Sequence, residues 1–108
     1  MKNEYKLLRI FLSENERING KLAYKYIVEF LLENKIAGAT VLRGILGYGS
    51  SFQIHSASIL TLSEDLPIVI EVVDRVDKLE KVIPKLKEFL NGKGMITIEK
   101  IEVIYPEI

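Results

Sequence analysis

Residues 67–94, PIVIEVVDRVDKLEKVIPKLKEFLNGKG, change their apolar periodicity once, and that change decides the fold. After Pro67, the β-branched run of residues 68–73 reads as a strand. From there the apolar positions become Val76, Leu79, Val82, Ile83, Leu86, Phe89 and Leu90, the three- and four-residue spacing of one helical stripe. Asp74 or Asp77 is the expected cap at its start. Pro84 lies inside the stripe, and an interior proline costs about 3 kcal/mol, so a kink is expected near residues 80–81. Asn91-Gly92-Lys93-Gly94 then stops the helix.

The same order precedes this unit. Residues 7–12 form a first strand, ended by the polar residues 13–17. Asn19 is the expected N-cap of a helix whose stripe is Leu22, Ala23, Tyr26, Ile27, Phe30 and Leu31. Asn34 and Gly38 bracket its exit, and residues 39–46 form a second strand. Residues 95–105 form the last one. Its alternation changes phase at Lys100, for which a β-bulge near residues 99–100 is the expected cause. The chain is therefore strand–helix–strand twice: one α+β domain over residues 1–108, ferredoxin-like βαββαβ, with a four-stranded antiparallel sheet and two helices on one face.

Composition bounds the partners. Among 108 residues, 48% are apolar, enough for one modest core. The 15 basic residues balance 15 acidic ones, which removes the electrostatic case for nucleic acid or an anionic membrane. Cysteine is absent, which excludes disulfides and thiolate chemistry and fits a cytoplasmic protein. Residues 7–12 are too short an apolar run for a leader or a membrane span, so no membrane insertion is expected. Abundant Lys, Glu and Ile hint at a heat-adapted host.

A sheet with one wet face should alternate cleanly between apolar and polar residues. Here the second face of three strands is apolar except for one central charge each: Arg9, Arg43 and Glu71. Two readings stand. Other copies of the chain cover this face, with the three charges pairing inside the interface, or the arginines are solvated on an open sheet.

The segment GATVLRGILGYGSS, residues 38–51, ends a strand in glycine without opening a helix, so it is not a dinucleotide fingerprint. Gly44 within the strand implies a bulge or a close backbone approach. Gly47, Tyr48, Gly49 and Ser50 could turn successive N–H groups inward as an anion-binding nest, and Gly92, Lys93 and Gly94 form a second permissive loop carrying a cation. Each loop alone is also explained as a simple turn. Together, across a subunit boundary, they could hold a phosphate chain. The connection over residues 47–66 far exceeds a hairpin's length, and loops this long tend to be functional or disordered. Within it, residues 57–62 could be extended. His55, the only histidine, lacks nearby partners and reads as a loop residue; no metal is expected.

The blocks LLRIFLSENERINGK, GATVLRGILGYGSS, IHSASILTLSEDLPIVIEVVD and GMITIEKIEVI resemble a widespread PII-like family of unknown function, over nearly the whole chain. That family is similar to the PII signalling proteins, trimers of ferredoxin-like subunits that bind adenine nucleotides between neighbours. They contact transporters, channels and enzymes through the loop between strands two and three. The resemblance implies that Gly47-Tyr48-Gly49 is the G-F-G segment at the base of that loop. It likewise implies that Gly92-Lys93-Gly94 is the G-D-G segment that wraps the phosphates. Departures accompany it: Met95 stands where PII has a lysine, and the terminal residues 103–108 lack its arginine pair. Residues 50–63 hold no tyrosine to modify, and Ser50-Ser51 replaces the arginine and glutamine after the second glycine. These differences speak against nitrogen-status sensing and leave a nucleotide in the intersubunit cleft.

The expectation is a non-enzymatic PII-like regulator, a homotrimer binding ATP, ADP or AMP and contacting a transporter, channel or enzyme through the 47–66 loop. Two alternatives use the same cleft: a small enzyme, for which no convergent acid, base or nucleophile is visible, and a ligand-free structural oligomer.

Overall fold

In the computed structural model, which describes residues 4–49, the backbone of 55–56, and residues 65–106, the two halves share one sheet. The elements in chain order are β1 (Tyr5–Ser13), β2 (Arg17–Ile18), β3 (Lys21–Leu22), α1 (Ala23–Glu33), β4 (Thr40–Arg43) and β5 (Leu46–Gly47). They continue with β6 (His55–Ser56), β7 (Pro67–Arg75), α2 (Val76–Leu90) and β8 (Met95–Lys100). The four-stranded sheet runs β4-β7-β1-β8 with every neighbouring pair antiparallel, the ferredoxin-like arrangement expected from the element order.

Strand alternation sets the core. Leu8, Ile10 and Leu12 of β1 and Ile68, Ile70 and Val72 of β7 face the same side. They bury themselves against Ala23, Ile27 and Leu31 of α1 and Leu79, Val82 and Leu86 of α2. Each fully buried aliphatic side chain contributes roughly 1.5–3 kcal/mol. The helices lock together where Phe89 meets Tyr26 and Phe30 edge-on, with centroids 5.1 and 5.0 Å apart.

Four local expectations are corrected. Asn19 is not a helix cap: with φ 51° it shares, with Gly20 at φ 80°, the two-residue turn of the β2–β3 hairpin, the type I′ geometry that Asn-Gly favours. The helix then starts at Ala23, whose N–H donates to the Glu16 carbonyl at 2.7 Å. Neither Asp74 nor Asp77 is the N-cap of α2, which is Arg75, without a side-chain cap bond. Asp74 lies just before it, 4% exposed, accepting hydrogen bonds from the backbone N–H of Ala37 (2.9 Å) and of Arg75 (2.7 Å) and an ion pair from Lys78 (3.3 Å). Burial alone would raise this carboxyl; the Ala37, Arg75 and Lys78 donors outweigh it and hold the group below its ordinary value.

The third and fourth corrections concern strand ends. β8 pairs with β1 without a bulge from Phe11↔Met95 to Lys6↔Lys100, and the phase change at Lys100 is where the strand ends. The strand expected over residues 39–46 divides at Gly44 into β4 and β5. As for Pro84, α2 continues through it as one helix, and the carbonyl it cannot serve belongs to the exposed Glu80.

The face opposite the helices carries Leu7, Phe11, Leu42, Val69, Val73 and Met95 around a central ion cluster. Arg9 donates to Glu71 at 2.9 Å and to Glu99 at 2.7 Å. These two carboxylate bonds, Glu71 first, raise the guanidinium above its already high ordinary value. Arg43 does not join them. Its register partner is Ile68, a core residue, so alternation assigns Arg43 to the helix side, where it pairs with Glu14. The sequence grouped Arg43 with Arg9 and Glu71 because it assumed a phase for β4 that only pairing fixes.

Candidate functional site

Pro67 organises one wall of the site. The Gly44 N–H donates to the Pro67 carbonyl at 2.7 Å, and a Cβ on Gly44 would lie 2.7 Å from the proline Cγ. This close approach, rather than a bulge, takes the chain out of the main sheet. β5 then pairs with β6, Leu46 opposite Ser56 and Gly47 opposite His55, so the long connection begins as a short two-stranded ladder. Its other end is tied down where Glu14 N–H donates to Leu66 O at 2.8 Å and Asn15 N–H to Asp65 Oδ1 at 3.0 Å.

The facing wall comes from the end of α2. Asn91 leaves the helix in the left-handed region at φ 49°, and the Lys93 N–H closes the turn on the Leu90 carbonyl at 3.0 Å. Gly94 holds φ 70° against the backbone of Phe11, a position closed to any side chain.

Between these walls is a cleft of about 610 Å³. Its floor is apolar: Phe11, with Val69 and Met95 as its register partners on either side. Its polar lining is Ser13, Glu16, Asp65 and Lys93, with Tyr48 exposed at the edge. A cleft of this size with an apolar floor and a few convergent polar groups suits a small organic ligand. Because the floor belongs to the open sheet face, the cleft borders that exposed apolar surface.

Of the residues singled out in the sequence, Gly47, Tyr48, Gly49, Lys93 and Gly94 line this one cleft. The two glycine loops meet within a single chain, where the sequence had suggested that they could face each other across a subunit boundary. Gly92 is outside the lining, and Ser50 lies outside the described residues. So does the extended run expected over residues 57–62. Sequence reasoning missed Ser13, Glu16 and Asp65. Their one signal was position, at the ends of segments that flank predicted strands. Among the described residues no group of His, Asp and Glu could hold a metal.

A DUF190 family model, described as an uncharacterized ACR, matches residues 5–103. The chain belongs to the DUF190 family. It is 43% identical over 100 residues to a UPF0166 protein of Aquifex aeolicus (strain VF5), covering 93% of each. With a UPF0166 protein of Methanocaldococcus jannaschii it shares 40% over 98 residues, 91% of this chain and 90% of the relative. Its fold is similar to CPII, a nitrogen regulatory PII-like protein from Thiomonas intermedia K12, solved bound to ADP, AMP and bicarbonate. There the TM-score is 0.70 at 19% identity, over 94% of this chain and 90% of that one. It is similar also to the divalent ion tolerance protein CutA1 from Ehrlichia chaffeensis, with a TM-score of 0.67 at 18% identity, over 98% and 89%. At these identities the likeness establishes a PII-like fold for this DUF190 member and nothing finer.

Proposed function

We propose that this chain is a non-enzymatic PII-like regulator that binds an adenine nucleotide in the cleft between its two glycine loops. The observation that carries this reading is the convergence of Gly47-Tyr48-Gly49 and Lys93-Gly94 on one apolar-floored cleft of about 610 Å³ at the root of the 47–66 connection. A base would lie on the floor of Phe11, Val69 and Met95, and phosphate would lie toward Lys93. The likeness to CPII, which was solved with ADP and AMP, supports the ligand class.

Ligand bound at the root of the connection would bias that connection between arrangements, and the connection would then engage a partner protein such as a transporter, a channel or an enzyme. The apolar face around Arg9, Glu71 and Glu99 supports self-association, which we read as a homotrimer in which a neighbouring copy closes the cleft from the open side. No described helix is long and apolar enough to cross a membrane.

Calorimetry of the purified protein with ATP, ADP and AMP tests the reading. Saturable binding of any of the three, abolished by filling the cleft, is the expected result. Absence of heat for all three at millimolar ligand would overturn the nucleotide reading and favour the structural oligomer, whose support is the open sheet face itself.

A further inference from the structure

We propose that the cleft prefers an adenine nucleotide with a single phosphate over the triphosphate, an inference that rests on the nucleotide reading of the site. Its basis is charge. Within one chain, Lys93 is the one cation in the lining among the described residues, and the same lining holds two carboxylates, Glu16 and Asp65. One phosphate can meet the Lys93 ammonium and the backbone of the glycine turns. A longer phosphate chain must extend along a rim that is already acidic, in a site partly shielded from water where like charges repel more strongly than in bulk.

Neither Arg43 nor Arg17 lines the cleft. Arg43 is paired with Glu14, and Arg17 donates to the Gly20 carbonyl at 3.2 Å. A second groove, which shares Glu16 and Lys93 with the cleft, adds Arg17 and Glu88, one charge of each sign, so no net positive charge is gained there. The long connection cannot make up the deficit. Residues 47–66 contain neither lysine nor arginine. The apolar floor of Phe11, Val69 and Met95 meanwhile favours a ligand whose binding comes mainly from its base.

Calorimetric titration with AMP and ATP, each in EDTA and in magnesium at low salt, tests this. The expected result is AMP binding about tenfold or more tighter than ATP in both buffers, from the like-charge repulsion at the rim. Glu16→Gln with Asp65→Asn should narrow that gap to about threefold by improving ATP, since losing two rim charges matters most to the most charged ligand. Asn at position 65 keeps an oxygen for the Asn15 N–H, and Glu16→Gln alone should move the gap in the same direction if the double variant melts early. ATP binding as tightly as AMP, ATP reaching parity once magnesium is added, or a gap unchanged in both variants would each overturn the preference while leaving the nucleotide site standing. Binding of neither nucleotide would overturn both.

Discussion

Gly94 lies against Phe11 so closely that a Cβ on it would stand 2.3 Å from the Phe11 carbonyl oxygen. That contact sets how β8 enters the sheet and how near the Lys93 turn comes to the cleft floor. Gly94→Ala combines a backbone clash with a left-handed φ, so a loss of about 2–4 kcal/mol is expected in urea unfolding. Gly38→Ala, at a site with open space and no left-handed φ, should be neutral or stabilise by about 0.4–1 kcal/mol. Equal effects of the two substitutions would contradict the packing described.

Gly49 borders the cleft, yet a Cβ at this position would meet no described residue within 4 Å. Gly49→Val should therefore leave stability within about 0.5 kcal/mol of the parent while weakening nucleotide binding severalfold. Normal affinity in a folded variant would reduce this glycine to a turn.

Lys93→Ala removes the one described cation lining the cleft. Affinity for AMP should fall about tenfold, and affinity for adenosine should hardly change, since a charge-assisted contact is worth about 1.5–3 kcal/mol. Equal losses for both ligands would place the phosphate elsewhere.

Leu42 is 47% exposed on the open face, two strands from Arg9. Leu42→Glu should cost the isolated chain little, yet disrupt assembly by placing an unpaired charge in the interface. Light scattering should report a drop in mass; an unchanged mass would show that copies do not stack on this face.

Asp74 makes stability depend on acid. Its folded pKa lies below the ordinary 3.8, so the unfolded chain takes up the proton first. The contribution is complete above about pH 5 and is lost as pH falls through 3.8 toward the folded value. Asp74→Asn should cost about 1–3 kcal/mol at pH 7 and flatten the stability profile below about pH 4. A profile unchanged in slope would mean that other carboxylates control acid unfolding.

Much of the fold was legible because its signals are local. The switch from alternation to a helical stripe after residue 75 and its counterpart near residue 23 give the element types and their order. Chirality and antiparallel pairing then leave few arrangements. Errors fell where a local rule had two outcomes. Asn19 before Gly20 is as good a hairpin turn as a helix cap, and the Glu16 carbonyl, brought back by that hairpin, took over the first helical N–H. The glycine loops were visible as loops; that they face one another within a chain was not.

Side-chain periodicity, written residue by residue, is enough to specify a βαββαβ chain with a double-sided apolar sheet and two glycine turns. Tertiary structure alone decided that Arg9 bonds Glu71 and Glu99 while Arg43 turns away to Glu14, that Asp74 is buried among donors, and that Glu16 and Asp65 join Lys93 at one cleft. Those outcomes depend on strand register and on backbone approach between distant segments, as in the Asn15–Asp65 bond across 50 residues of chain, which no local pattern encodes.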